Sequence, residues 1–153
     1  MTLYKEHTIY EVIERKRSSH LTIGIILTYF LYTLNYGWLY CLIGLQGSIA
    51  PDIDLKIGLR HRTITHSIIA LILTTMPLYL FSHQLGIVWF INYLSHLTAD
   101  SMTKMGVPYF YPYKHYYGLK LFSTGSLWEH VFILISIGLF FIYILNKYAY
   151  LQF

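Results

Sequence analysis

Three stretches of this chain carry no Asp, Glu, Lys or Arg: Leu21 to Pro51, Ser67 to Ala99, and Val131 to Asn146. A helix that crosses the hydrocarbon core of a bilayer needs about 20 mostly apolar residues, so each stretch is a candidate for crossing a membrane. Composition agrees. Hydrophobic residues make up 56% of the chain and charged residues 12%, against about 25% charged in an ordinary soluble domain. With 153 residues, the chain is read as a single domain, 1–153. Its fold class is all-α, an integral membrane helical bundle.

The first two stretches hold 31 and 33 residues. As single straight helices they would be about 46–50 Å long at ~1.5 Å per residue, against a hydrocarbon core of about 30 Å. Each has a breaker near its middle, "LNYGW" around Gly37 and "FSHQLG" from Phe81 to Gly86. Each is therefore read as a helical hairpin with short arms, and Pro77 as a kink within the third helix. With the last stretch this gives about five transmembrane helices. The hairpins place residues 1–20, 52–66 and 100–130 on one side. That side holds ten of the eleven basic residues, all but Lys147, a bias that makes it cytoplasmic. The net charge of +4 is explained by this sorting, and no nucleic-acid partner is expected. Residues 1–19 have mixed charge and a modest apolar stripe (Ile9, Val12, Ile13). They read as an interfacial helix rather than a signal peptide, ahead of a bundle from 20 to 153. The aromatic cluster "YFYPYKHYY" reads as an interfacial belt in preference to a substrate groove. Cys41 is the only cysteine and reads as a small buried apolar residue.

On this topology the ionisable side chains other than Lys and Arg collect at one membrane face. His20 opens the first helix, Asp52 and Asp54 follow the second, His61 and His66 lead into the third, His96 and Asp100 close the fourth, and Glu129 with His130 opens the fifth. Ionisable groups at membrane depth are costly and usually functional. His96 and Asp100 are i and i+4 and share a helix face. Asp52 and Asp54, after Pro51, are expected in extended chain with both carboxylates pointing one way. His61 is expected in a loop and His66 in a first helical turn, capped by Thr63 or Thr65. Alone, an HxxxD pair is more often a capped or salt-bridged helix end than a ligand pair. Jointly, the set suits a divalent cation, zinc first with manganese or iron as alternatives, and it is large enough for one or two ions. His7 and His83 read as structural or solvent-exposed, and His115 is left open.

The segments "GSIAPDID", "HRTITHS" and "YLSHLTADSMTKMGVPYFYP" resemble, in order and spacing, the YdjM-type family of bacterial membrane proteins, grouped as metal-dependent hydrolases. The resemblance runs from His20 to about Glu129. It implies His20, Asp52, Asp54, His61, His66, His96, Asp100 and Glu129 as metal ligands. Thr63 stands where the family has glycine. The order of these ligands is also distantly similar to that of zinc-dependent phospholipase C, which implies phosphoester chemistry. The expected function is hydrolysis of a phosphoester in a membrane lipid or lipid-linked substrate, on the cytoplasmic face of the bacterial inner membrane. Asp52, His66, His96 and Asp100 are expected as the main ligands, Asp54 or Glu129 as general base, and Arg60 and Arg62 as binders of substrate phosphate. Two other classes stay open: a metal-ion transporter or sensor, and a non-catalytic membrane adaptor.

Overall fold

The computed structural model describes residues 19–56, 61–121, 123 and 126–150. The interfacial helix expected before Ser19, and Arg60, lie outside these residues. So does the side chain of Glu129, although its backbone falls in the last helix. The described residues form helices joined by turns, with no β-strand beyond an isolated antiparallel bridge between Val107 and Tyr117.

The first apolar run folds as two helical arms. Helix α1 spans Ser19–Thr33. A turn with Asn35 in left-handed backbone (φ 67°) leads to Gly37 and α2, Trp38–Gly44. Two 3₁₀ turns, Leu45–Ser48 and Ala50–Asp52, and a short helix α3, Ile53–Lys56, carry the chain to the end of the bundle. The extended geometry expected for Asp52 and Asp54 is thus replaced by helical turns. Pro51 sits in the first turn of the second of them, where its missing N–H costs nothing and its fixed φ suits a helix start. The second run gives α4, Ile68–Phe81, and α5, His83–Ser101. The break falls at Ser82, His83 belongs to α5, and α4 continues through Pro77. The last helix, α6, is Leu127–Tyr150.

Helix α5 is the axis of the molecule. It packs against α4, α2 and the 3₁₀ turn after α2. Its buried positions, Leu85, Val88, Asn92, Tyr93, His96, Leu97 and Asp100, recur every three or four residues, as one helix face requires. Small residues let its neighbours approach. A Cβ on Gly86 would lie 2.5 Å from Tyr79 Cα, and one on Gly44 2.5 Å from Val88 Cγ1. Close contact of this kind holds helices together where lipid replaces water and the hydrophobic effect between helices is lost. Polar pairs add to it: Asn92 Nδ2 donates to Thr28 Oγ1 at 2.9 Å across α5 and α1.

Burial runs opposite to that of a water-soluble protein. Arg62, His66, His96, Asn92, Asp54 and Asp100 are among the largest fully buried side chains, whereas Leu73, Leu80, Phe81, Leu134 and Phe141 are exposed. Among the described residues one helix is long and apolar enough to cross a membrane, through His130–Lys147, and Ser19–Thr33 and Ile68–Phe81 are apolar but shorter. Helix α6 lies along α1 in the same direction: Tyr29 meets Phe140 edge-on at 5.2 Å, and Thr33 Oγ1 lies 3.3 Å from the Tyr143 hydroxyl. The two hairpin turns share one end of the bundle, where Gly37 N–H donates to Gln84 Oε1 at 3.2 Å. Lys147 lines a cavity with Gly37 and Trp38 at that same end.

Because Gly86 meets backbone rather than a flexible side chain, Gly86→Ala must push α4 and α5 apart. The expected loss is about 1–3 kcal/mol, read as a lower midpoint of thermal unfolding in detergent. Gly138→Ala on α6, where a Cβ meets nothing within 4 Å, should leave the midpoint unchanged or raise it.

Candidate metal centre

At the end of the bundle away from the hairpin turns, α1, the turns around Asp52, the segment 61–67 and the last turn of α5 bring seven ionisable side chains together. His66 and His96 point their Nε2 atoms at each other, 3.3 Å apart. Asp52 Oδ1 lies 3.7 Å from His66 Nε2 and 3.6 Å from His96 Nε2. Asp100 Oδ2 lies 3.3 Å from His66 Nε2 and 3.7 Å from His96 Nε2. These five distances gather the four atoms around the facing pair of imidazole nitrogens. Ligands bound at about 2.0–2.2 Å to a tetrahedral zinc ion stand about 3.3–3.6 Å apart. The observed distances match that spacing to within a few tenths of an ångström.

The hydrogen bonds behind the ligands favour the same use. His96 Nδ1 is 2.7 Å from the Ser48 carbonyl, an acceptor only, so Nδ1 carries the proton and Nε2 keeps its lone pair. His66 Nδ1 is 3.0 Å from Thr65 Oγ1, and that hydroxyl donates onward to Asp54 Oδ2 at 2.9 Å. The His66 proton is therefore also on Nδ1, facing oxygen. Metal-bound histidines use this pattern, in which the outer ring nitrogen donates to a carbonyl or carboxylate. Among the described residues, Asp100 Oδ2 and Asp52 Oδ2 are buried without a hydrogen-bond partner. Such atoms cost about 1–3 kcal/mol each in a protein interior, a cost that a cation beside the carboxylates removes.

Two further side chains flank this group. His20 stacks on His96 with ring centroids 3.9 Å apart, and its Nε2 is 3.5 Å from Asp100 Oδ1. On the other side, His61 Nδ1 lies 3.2 Å from Asp54 Oδ1 and 4.0 Å from Asp52 Oδ1. Two triads, His20–His96–Asp100 and Asp52–His61–His66, each bring one ligand atom per residue within 4.8 Å of the others and can hold a cation. The site thus has four central donors and room on both flanks.

Arg62 has a place the sequence does not suggest. It is 1% exposed and adopts left-handed backbone, φ 56°. Its Nη2 pairs with Asp100 Oδ1, and its Nη1 donates to Thr103 Oγ1 at 2.9 Å and to the Gly106 carbonyl at 3.2 Å. Its backbone N–H donates to Asp54 Oδ2 at 3.1 Å. Instead of facing substrate phosphate, it fixes two carboxylates of the cluster. The Tyr116 hydroxyl closes over it, 3.3 Å from the Arg62 carbonyl, so part of the aromatic loop packs on this end of the bundle.

The helix cap also differs from expectation. Neither Thr63 nor Thr65 caps α4. Ser67 does, accepting from Ala70 N–H at 3.1 Å, which leaves the Thr65 hydroxyl free to bridge His66 and Asp54. Ser48, Thr103 and Tyr93, whose hydroxyl donates to the Thr65 carbonyl at 2.5 Å, carry no signal in the sequence as parts of the site. Asn92 was, in principle: with His96 and Asp100 it forms an i, i+4, i+8 polar stripe on an otherwise greasy helix. His83 stands against Tyr79 beside the hairpin turn, and His115 against Tyr117 in the aromatic loop. Neither is among the residues of the cluster.

An apolar helical exterior, with one helix able to cross a membrane among the described residues, around buried His and Asp groups that could hold a metal ion, is the architecture of a membrane protein. More particularly, the chain belongs to the YdjM inner membrane protein family, whose model matches residues 16–152. No curated protein and no solved structure matches the chain.

Burial disfavours a charged His66 imidazole, but the Asp100 and Asp54 carboxylates outweigh burial and raise its pKa. Without metal, His66 therefore keeps a proton at a pH where an ordinary imidazole (~6.5) has lost it. A metal ion has to displace that proton. Zinc affinity should weaken about tenfold per pH unit as pH falls below the raised value and level off above it, as read by competition with a chromophoric chelator. Arg62→Met should leave Asp100 Oδ1 without its partner and weaken zinc about 10- to 100-fold in the same assay.

Proposed function

We propose that this protein is a membrane-bound, metal-dependent hydrolase that cleaves a phosphoester of a lipid headgroup or lipid-linked phosphate. The observation that carries the reading is the gathering of Asp52 Oδ1 and Asp100 Oδ2 within 3.3–3.7 Å of the facing His66 and His96 Nε2 atoms at one end of a helical bundle. Two imidazoles and two carboxylates at this spacing suit zinc. With water in a further coordination position beside these side chains, such an ion would lower the pKa of that water towards ~7 and polarise a phosphoryl oxygen.

The chain's own residues divide the remaining work. Asp52, His66, His96 and Asp100 hold the ion, and Arg62 keeps Asp100 turned towards it. The Asp54 carboxyl is raised by burial but pulled further down by His61 and His66, well below the ordinary carboxylate range. It accepts from Arg62 N–H and Thr65 Oγ1 as well as facing His61, so it orients groups rather than moving protons. His61, 17% exposed at its side chain, is the more open member of the Asp54–His61 pair. We assign it the proton transfer from water to bulk solvent, the role first expected of Asp54. Glu129 opens the helix that lies beside α1 and is retained as a further candidate for that role.

The charge pattern supports a site on the cytoplasmic side, since ten of eleven basic residues fall in the sequence segments 1–20, 52–66 and 100–130. Helix α2, with 7 residues, makes the return arm of the first hairpin too short to be a full pass. Helices α1 and α4 are short for a full crossing and are accommodated by local thinning of the bilayer. A site at the helix ends, rather than near the midplane where transporters place their ion sites, favours an enzyme. It also admits a lipid phosphate without extracting the lipid.

The test uses protein purified in detergent, loaded with zinc and freed of excess. Metal content is measured beside phosphate and headgroup release from a panel of phosphatidic acid, phospholipids and isoprenoid phosphates. Hydrolysis of at least one lipid, abolished by chelation and restored by zinc, is expected. His96→Ala should lose both metal and activity. His61→Ala should keep the metal and lose at least about 100-fold in rate. Stoichiometric metal with no hydrolysis of any lipid across the pH range would overturn the assignment in favour of a sensor or transporter.

A further inference from the structure

Beside the metal centre, on the side of α5 next to its buried face, Ile91, Leu94, Ser95, Thr98, Ala99 and Met102 form a stripe along one face of the helix. With Ile23 and Leu27 of α1 and Phe132 of α6, they line a cavity of about 310 Å³. That is the lower end of the ~300–1,000 Å³ of small-ligand pockets. The small side chains Ser95 and Ala99 keep the furrow open. Its two hydroxyls are turned inward, Ser95 Oγ donating to the Asn92 carbonyl at 2.7 Å and Thr98 Oγ1 to the Leu94 carbonyl at 2.8 Å. Neither needs a partner from an occupant, and the rest of the lining is hydrocarbon and sulfur.

Position and length say what such a furrow takes. One end lies at Ala99, next to Asp100 of the cluster, and at Ile23, about one turn from His20. From Ile91 to the level of Asp100 the helix rises about 14 Å at ~1.5 Å per residue, close to half of a ~30 Å hydrocarbon core. The stripe therefore runs from the metal centre to the depth of one leaflet. The occupant must be apolar, one leaflet long, and attached to something that ends at a cation site.

We propose that this furrow seats one acyl chain of a phospholipid whose phosphate lies at the metal centre. The inference rests on the lipid-phosphoesterase reading above and narrows it: the substrate is held by its chain as well as its headgroup. The lipid stays in its own leaflet, with α1 and α5 as the walls of its berth.

The test separates the berth from the chemistry. The zinc-loaded full chain is placed in phosphatidylcholine vesicles containing phosphatidic acid with a diazirine in one acyl chain. After photolysis the labelled peptides are mapped by mass spectrometry. Labelling is expected on Ile91–Met102 at least tenfold above that on the lipid-facing α4 residues Leu73 and Leu80. Ser95→Phe and, as a second variant, Leu94→Trp should remove the excess while leaving bound zinc unchanged. Even labelling of α4 and α5 would overturn the proposal; it is the result expected if another part of this chain or a second copy fills the furrow. Labelling that neither variant reduces would overturn it as well. The readout does not depend on turnover, so localised labelling without hydrolysis retains the berth while rejecting the enzyme, and hydrolysis with even labelling does the reverse.

Discussion

Asp100 ties the molecule together. One carboxylate oxygen pairs with buried Arg62, and the other stands between His66 and His96. Through Arg62 the same carboxylate reaches Thr103 and Gly106, and so the aromatic loop. Through the imidazoles it reaches the Ser48 carbonyl and the Thr65–Asp54 pair. A charge buried to this degree is tolerated only when opposite charge and hydrogen bonds surround it. Arg62 supplies part of that compensation, and a divalent cation between the two histidines and two aspartates, as proposed, would supply the rest.

Lipid as the solvent explains why the polar residues are gathered rather than dispersed. An unpaired polar group in hydrocarbon costs several kcal/mol, so each polar side chain within the greasy runs must find a partner inside the protein. Asn92 finds Thr28, and the Trp89 indole N–H finds Thr74 Oγ1. The ionisable groups, which are more costly still, are drawn to one end, where short 3₁₀ turns replace long helix and let Asp52 and Asp54 reach the imidazoles. The large exposed apolar area that results, with Leu73 at 67% and Phe81 at 81% exposure, is stable in a bilayer and a liability in water.

Much of this was legible in the sequence. The uncharged runs marked the helices, Gly37 and Ser82 fall within the expected breaks, and the family motifs named residues that the structure gathers into one cluster. What was hidden follows from physics that acts across the chain. The 3₁₀ turns around Pro51 have no periodicity to betray them, because turns of three or four residues are too short to show one. The capping role fell to Ser67 because the Thr65 hydroxyl is taken by Asp54, a partner eleven positions earlier. Arg62 in "RHRTITHS" looks like any basic residue near a membrane. Only its tertiary contact with Asp100, thirty-eight positions away, turns it into a support for the site. Helix lengths were the least legible feature: α2 has 7 residues, well short of an arm that spans.

The central claim is that Asp52, His66, His96 and Asp100 bind one ion between them. X-ray absorption at the zinc edge of the loaded protein tests it most directly. Four or five nitrogen or oxygen ligands at about 2.0–2.2 Å are expected, with outer-shell scattering from two imidazoles that falls to one in His96→Ala. A six-coordinate, water-rich zinc without imidazole scattering would contradict it.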